Sequence, residues 1–177
     1  DGGTTYDQVA KLIASDASSG DDFGLSVAID GDTIVVGADA TNFYGGSGWG
    51  SVYVFRTSDG GATYGQVAKL TADDAATYDS FGESVAIDGD TVAIRGDGSV
   101  YIFRTTDDGG TWSQVAKLVT SDGVSIYRVA ISGDVVVAGA FYDDSIASNA
   151  GAAYVFRTTD GGATYSQVAK LTASDAA

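Results

Sequence analysis

The 177-residue chain has no cysteine, no histidine, no proline and no methionine. Without cysteine, disulfides and thiolate metal sites are excluded, and the redox compartment is left open. Without histidine, the chain lacks the usual general base near neutral pH and the commonest zinc ligand, which argues against hydrolase and metalloenzyme chemistry. The missing proline and methionine have no physical account. Basic residues are scarce: nine Lys and Arg stand against 24 Asp and Glu, a formal charge of −15. Such a field repels nucleic acid and anionic membrane surfaces, so the expected partners are neutral, basic or cationic. Glu83 is the single glutamate. Aspartate, which makes up the rest of the acidity, is the acid that tight turns and calcium loops prefer. No apolar stretch approaches the roughly 20 residues of a membrane helix, and nothing resembles a signal peptide, so direct membrane insertion is not expected.

What the chain does have is 25 glycines, 10 tyrosines and a 44% hydrophobic composition, enough for a folded core. Runs such as "TIVVGA" (33–38) and "GSVYVFR" (50–56) read as short strands between tight turns, and no long segment carries helical periodicity. The expected class is all-β.

The dominant feature is repetition. "QVAKL" begins at Gln8, Gln66, Gln114 and Gln167, at spacings of 58, 48 and 53 residues. Between these anchors the order is constant: an Asp/Ser/Ala linker, strand A ("FGLSVAID", 23–30), a Gly-Asp turn, strand B ("TIVVGA"), a variable loop, strand C ("GSVYVFR"), a Thr/Asp/Gly stretch, and strand D ("QVAKL"). The A–B connection reads "IDGDT" at 29–33 and 87–91 and "ISGDV" at 131–135, a strong hairpin signal. Strand C is apolar on both faces, as expected of a sheet packed between two others. Four such strands per repeat describe propeller blades. The expected organisation is a surplus outer strand and linker at 1–17, then blades over 18–70, 71–118 and 119–177, the last with a trailing linker. Residues 1–17 nearly duplicate 160–176.

"DDFGLSVAIDGDTIVVGA" in the first repeat and "DSFGESVAIDGDTVAIRG" in the second resemble FG-GAP repeats, the blade units of integrin-α-type β-propellers and of many secreted or surface-attached proteins. The third copy, "GVSIYRVAISGDVVVAGA", keeps the strands but has Ser125 and Ile126 in place of the Phe-Gly pair, and Arg95 stands at the position of Gly37. Many blades of that family carry a DxDxDG calcium loop between strands A and B. Here the connection has shrunk to Asp30-Gly31-Asp32 and its equivalents, which cannot supply the roughly six to eight oxygens calcium takes. No cofactor is expected on this basis, and calcium is not supported by a complete loop motif.

The stretch between strands C and D is similar to the Asp-box of sialidases and other propeller proteins, with the pattern S/T-x-D-x-G-x-T-W/F/Y. It appears as Thr57, Asp59, Gly61, Thr63 and Tyr64; as Thr105, Asp107, Gly109, Thr111 and Trp112; and as Thr158, Asp160, Gly162, Thr164 and Tyr165. The aspartate can accept N–H bonds across the turn, the glycine can take positive φ, and the ring can tuck under the hairpin, so a structural joint is expected. A sialidase would need converging arginines and an acid/nucleophile pair. Arg56, Arg104 and Arg157 are repeat equivalents on separate blades, and only Arg95, Arg128 and Glu83 fall outside the pattern, so no catalytic residues are assigned.

Specificity is expected in the B–C loops, where the repeats differ. The first, "DATNFYGGSGWG" (39–50), carries Phe43, Tyr44 and Trp49; the second is only Asp97-Gly98; the third, "FYDDSIASNAG" (141–151), carries Phe141 and Tyr142. These rings either contact a protein or glycan partner or pack between blades. Asp143 and Asp144, like the linker acids, are either solvated turn residues or part of an incomplete cation site. The functional expectation is a non-enzymatic extracellular or cell-surface module for adhesion or assembly. The alternatives are a structural subunit of an extracellular filament, built from neighbouring copies of the chain, and a carbohydrate-active enzyme fragment.

Overall fold

The computed structural model describes residues 7–39 and 48–174. Among these residues, twelve strands form three four-stranded antiparallel sheets, each meandering in chain order. Blade 1 contains β1 (Ser26–Asp30), β2 (Thr33–Ala38), β3 (Ser51–Arg56) and β4 (Gly65–Leu70). Blade 2 contains β5 (Val85–Asp88), β6 (Thr91–Gly96), β7 (Ser99–Arg104) and β8 (Ser113–Leu118). Blade 3 contains β9 (Arg128–Ser132), β10 (Val135–Ala140), β11 (Ala152–Arg157) and β12 (Ser166–Leu171). These are strands A to D of each repeat. Each A–B hairpin closes through two residues, with Gly31, Gly89 or Gly133 first at φ 52–53°, which is why a glycine recurs there.

The blades stack face to face with their A strands adjacent. The rear of blade 1 (Val35, Val52, Val54, Leu70) packs on the front of blade 2 (Val85, Ile87, Val92, Ile94, Tyr101, Phe103). The rear of blade 2 (Val100, Ile102, Leu118) packs on the front of blade 3 (Val136, Ala138, Tyr154, Phe156). Both faces of strand C are thus apolar because both are buried, as at Val52 to Phe55 and Val100 to Phe103.

All three C–D pairs carry a register shift at the same place, between Val54 and Phe55, Ile102 and Phe103, and Val155 and Phe156. The extra residue is the valine of "QVAKL", and Val67, Val115 and Val168 are accordingly exposed. Gln66 pairs with Phe55 and Lys69 with Tyr53, so the bulge brings Gln and Lys, three residues apart, to one face, where strict alternation would separate them.

Two expectations are corrected. The core slot filled by Phe23 and Phe81 is taken in blade 3 by fully buried Ile126, with Tyr127 following, one residue later than the Ser125-Ile126 alignment. Blade 3 is one residue shorter ahead of strand A, and the apolar side chain decides which residue enters the core. Tyr127 N–H then donates to Gly139 O, as Gly24 N–H does to Gly37 O. The first "QVAKL", expected as a surplus strand, forms no strand among the described residues: 7–14 have no ladder, since no C strand lies beside them. Leu12 and Ala14 instead cover the front of blade 1 together with Phe23.

Candidate functional site

The C–D turns are built alike. In blade 1, Thr57 Oγ1 accepts from Gly61 N–H (2.9 Å) and donates to Asp59 Oδ1 (2.7 Å), while Asp59 accepts Thr63 N–H (2.9 Å) and Thr63 Oγ1–H (2.6 Å). Thr105, Asp107, Gly109 and Thr111 repeat this in blade 2, and Thr158, Asp160, Gly162 and Thr164 in blade 3. Gly61, Gly109 and Gly162 sit at φ 83–92°, a region a side chain would strain. Trp112 Nε1–H donates to Gly109 O and its ring packs on the core beneath the turn. The hydroxyl and N–H donors of Thr63 and the Thr57 hydroxyl hold Asp59 near a pKa of about 2; Thr111 N–H and the Thr105 and Thr111 hydroxyls do the same for Asp107. The motif spends its polar groups on itself, as a joint should. Beside it, a groove of about 570 Å³ between blades 1 and 2 is lined by Asp32, Arg56, Asp107 and Asp108, and Arg56 pairs with Asp108 across it (3.2 Å).

The B–C loops lie at the opposite ends of the strands. Phe141 and Tyr142, both about half exposed, gather with Tyr127: the ring centroids are 4.4 Å apart for Tyr127–Phe141, 5.4 Å for Tyr127–Tyr142 and 4.5 Å for Phe141–Tyr142. Arg95 lies against the Tyr127 ring, its Cζ 5.6 Å from the centroid. Trp49 is exposed on the blade 1 loop, outside this cluster, and Phe43 and Tyr44 lie outside the described residues. Arg95, Arg128 and Glu83, the three charged residues that break the repeat, come together: Glu83 accepts from Arg95 (2.8 Å) and Arg128 (2.9 Å), one carboxylate oxygen each, and Arg95 Nε–H donates to Ile126 O. This bridge fastens blade 2 to blade 3 beneath the aromatic cluster.

A Tyr–Asp–Lys group, not expected from the sequence, recurs on the front of each blade. Tyr53 donates to Asp16 (2.9 Å) and Lys69 pairs with it (2.6 Å); Tyr154 donates to Asp122 and Lys170 pairs with it (2.8 Å). In blade 2, Lys117 pairs with Asp74 and Asp97 and stands 4.8 Å from the Tyr101 ring centre, while the Tyr101 hydroxyl has no hydrogen-bond partner among the described residues. Alongside, Gln66, Gln114 and Gln167 accept the linker N–H groups of Ser15, Asp73 and Ser121. Asp74, one of the linker acids expected to be either a solvated turn residue or part of a cation site, is therefore a latch, as are Asp16 and Asp122. The signal was available: every "QVAKL" lysine is followed five residues later by an aspartate.

Asp143 belongs to the same group. It is buried, accepts from Tyr154 (2.6 Å) and Ser145 N–H (2.9 Å), and pairs with Lys170 (2.7 Å), with Lys170 foremost in pulling its pKa well below the usual carboxylate range. A lysine ammonium already supplies the cation there. Asp144 instead accepts Asn149 N–H within its loop. No cluster of three or more potential metal ligands occurs among the described residues. Nor do the A–B turns fit calcium, because Asp30 Oδ2 is engaged by Gly89 N–H of the next blade (2.6 Å). No helix among the described residues is long and apolar enough to cross a membrane.

Stacked four-stranded meanders with their first strands innermost are the blades of a β-propeller-type repeat protein. The FG-GAP repeat model matches residues 6–55, 64–103 and 112–156, and the chain belongs to that family. Among solved structures, the crystal structure of Saccharomyces cerevisiae Sqt1 superposes with a TM-score of 0.58 at 9% identity, over 88% of this chain and 37% of that one, a likeness of fold alone. The chain thus spans little more than a third of that protein's length. A search of curated proteins gives no match.

Proposed function

We propose that the chain is a non-enzymatic interaction module, working outside the cell or at its surface, whose B–C loops bind a protein or glycan. The observation that carries this reading is the gathering of half-exposed Phe141 and Tyr142, on a variable loop of a repetitive frame, with Tyr127 of the preceding linker. Aromatic faces gathered on a rigid support stack against sugar rings or fill partner pockets at low entropic cost. The support here is Arg95, fixed by Glu83 and the Ile126 carbonyl. With a net charge of −15, partners carrying neutral or positive surfaces are favoured over nucleic acid or anionic lipid. The family resemblance to secreted and surface-attached propellers supports the location.

The test uses an array of neutral, sialylated and amino-sugar oligosaccharides, with immobilised lysine-rich and neutral peptides beside them. Tyr142→Ala and Trp49→Ala are expected to weaken any captured interaction at least tenfold with the melting temperature within about 2 °C of the parent, as exposed substitutions allow. Hydrolysis of a glycoside on the array, abolished by Glu83→Gln, would favour the enzymatic reading instead.

A further inference from the structure

The C–D turn of blade 2 departs from the other two at three positions. Asp108 stands where blades 1 and 3 have Gly60 and Gly161, Gly110 where they have Ala62 and Ala163, and Trp112 where they have Tyr64 and Tyr165. Asp108 and Gly110 line the groove of about 570 Å³ between blades 1 and 2; Asp108 and Trp112 line a recess of about 180 Å³ beside it, and Asp32 and Arg56 of blade 1 border both. The departures thus fall together on one junction between neighbouring blades. Asp108 also keeps a left-handed backbone, φ 57° against 71° for Gly60 and Gly161, which favours glycine and strains a side chain.

This aspartate changes what the strand C arginine does. At the next junction, Arg104 Nε–H donates to Thr91 Oγ1 (3.2 Å), and its guanidinium also donates to the carbonyl of Gly161. Arg56 pairs instead with one oxygen of Asp108 (3.2 Å), and its Nε–H is buried with no partner among the described residues. That single bond leaves the guanidinium, which carries five N–H donors, short of acceptors. The groove is short of donors as well. The Asp32 carboxylate has no partner among the described residues, and Asp108, its side chain 91% exposed, engages only one oxygen. Val67, partly exposed on the same wall as Arg56, adds an apolar patch.

We infer that this groove binds a neutral sugar, a pyranose with adjacent free hydroxyls. A cation would satisfy the carboxylates and leave Arg56 unmet; an anion would do the reverse. A hydroxyl both donates and accepts, so neighbouring hydroxyls give hydrogen bonds to Asp32 and Asp108 and take them from Arg56. Val67 offers the C–H face of the ring an apolar surface. The volume lies within the roughly 300–1,000 Å³ of small-molecule sites. A neutral ligand also escapes the repulsion that a net charge of −15 imposes on an acidic sugar. The groove lies at the C–D ends of the strands, opposite the B–C aromatics, and shares no residue with them.

The experiment is a proton–nitrogen NMR titration of the chain, arginine Nε–H signals included. The probes are the methyl glycosides of glucose, galactose, mannose and N-acetylglucosamine, with lysine amide, calcium chloride and glucuronate as charged competitors. At least one glycoside is expected to move the signals of Arg56 Nε–H, Gly109 and Gly110 with a Kd of about 0.1–10 mM, the weak binding of a single ring in an open polar groove. Asp108→Gly restores the residue of the other two blades on a backbone that suits it, and is expected to weaken binding about fivefold or more without loss of folding. Asp32→Asn, an exposed change, is expected to weaken it about threefold. No movement of these signals at about 100 mM of any glycoside, undiminished binding in both variants, or a stronger response to lysine amide, calcium or glucuronate overturns the inference. Movement confined to Tyr127, Phe141 and Tyr142 also overturns it, and would leave the loop-binding reading standing; the two readings therefore fail separately.

Discussion

Blade 2 and blade 3 share the sequence "SQVAKL" on their outermost strands, yet Leu118 is buried and Leu171 lies half in water. Blade 1 shows the converse: Ile29 is exposed on the same "VAID" strand that buries Ile87 in blade 2. A blade does not bury its own apolar residues; the adjacent blade does. What the blade secures for itself is local: the C–D turn has the same hydrogen bonds in all three positions, whichever neighbours are present. The molecule therefore combines two kinds of stabilisation, one carried within each repeat and one that exists only between repeats.

Leucine truncation separates them most sharply. Leu118→Ala removes a side chain from a filled interface and is expected to cost about 2–5 kcal/mol, whereas Leu171→Ala in a dilute, monomeric sample is expected to stay within about 0.5–1 kcal/mol. Chemical denaturation of the two variants decides it, and equal losses would mean that the rear of blade 3 is covered. A smaller effect, alike in all three blades, is expected from Thr57→Ala, Thr105→Ala and Thr158→Ala. Each buried hydroxyl accepts a glycine N–H and donates to the aspartate, so each loss should cost about 1–2 kcal/mol. A strong difference between blades would show that the turns depend on their neighbours after all.

Acid gives the gentlest probe. The carboxyls of Asp59 and Asp107 are depressed to about 2 in the folded chain, below their ordinary value of 3.8. Their contribution is therefore complete above about pH 4 and is lost as the pH falls through about 2, when the folded state must take up the protons it had excluded. Thermal melting followed from pH 5 to 2 should show that decline, and Asp107→Asn should flatten it. A melting temperature constant over this range would exclude the turn carboxylates as contributors.

Much of this was legible before any coordinates. The "QVAKL" spacing, the Asp-Gly hairpins and the doubly apolar C strands led to blades of four strands, and the Thr-x-Asp-x-Gly-x-Thr spacing led to a joint, because both depend on residues close in sequence. The aromatic loop residues were picked out by their variation between repeats, but their gathering on Tyr127 was not, since Tyr127 lies in the linker preceding strand A. Arg95, Arg128 and Glu83 were noticed only as exceptions to the pattern. Their convergence depends on how two blades stack.

The sequence by itself determined the class, the blade length and the turn chemistry, because hydrophobic alternation and φ preference act over a few residues. Only the tertiary structure decided the rest. The bulge in strand D turns Gln and Lys to one face; the linker of one repeat then brings its aspartate under the tyrosine of the next; and Asp143, which by position alone resembled a loop acid, is drawn inward to Lys170. Each of these depends on groups about 10 to 60 residues apart in the chain, and only packed blades place such groups within a hydrogen bond of one another.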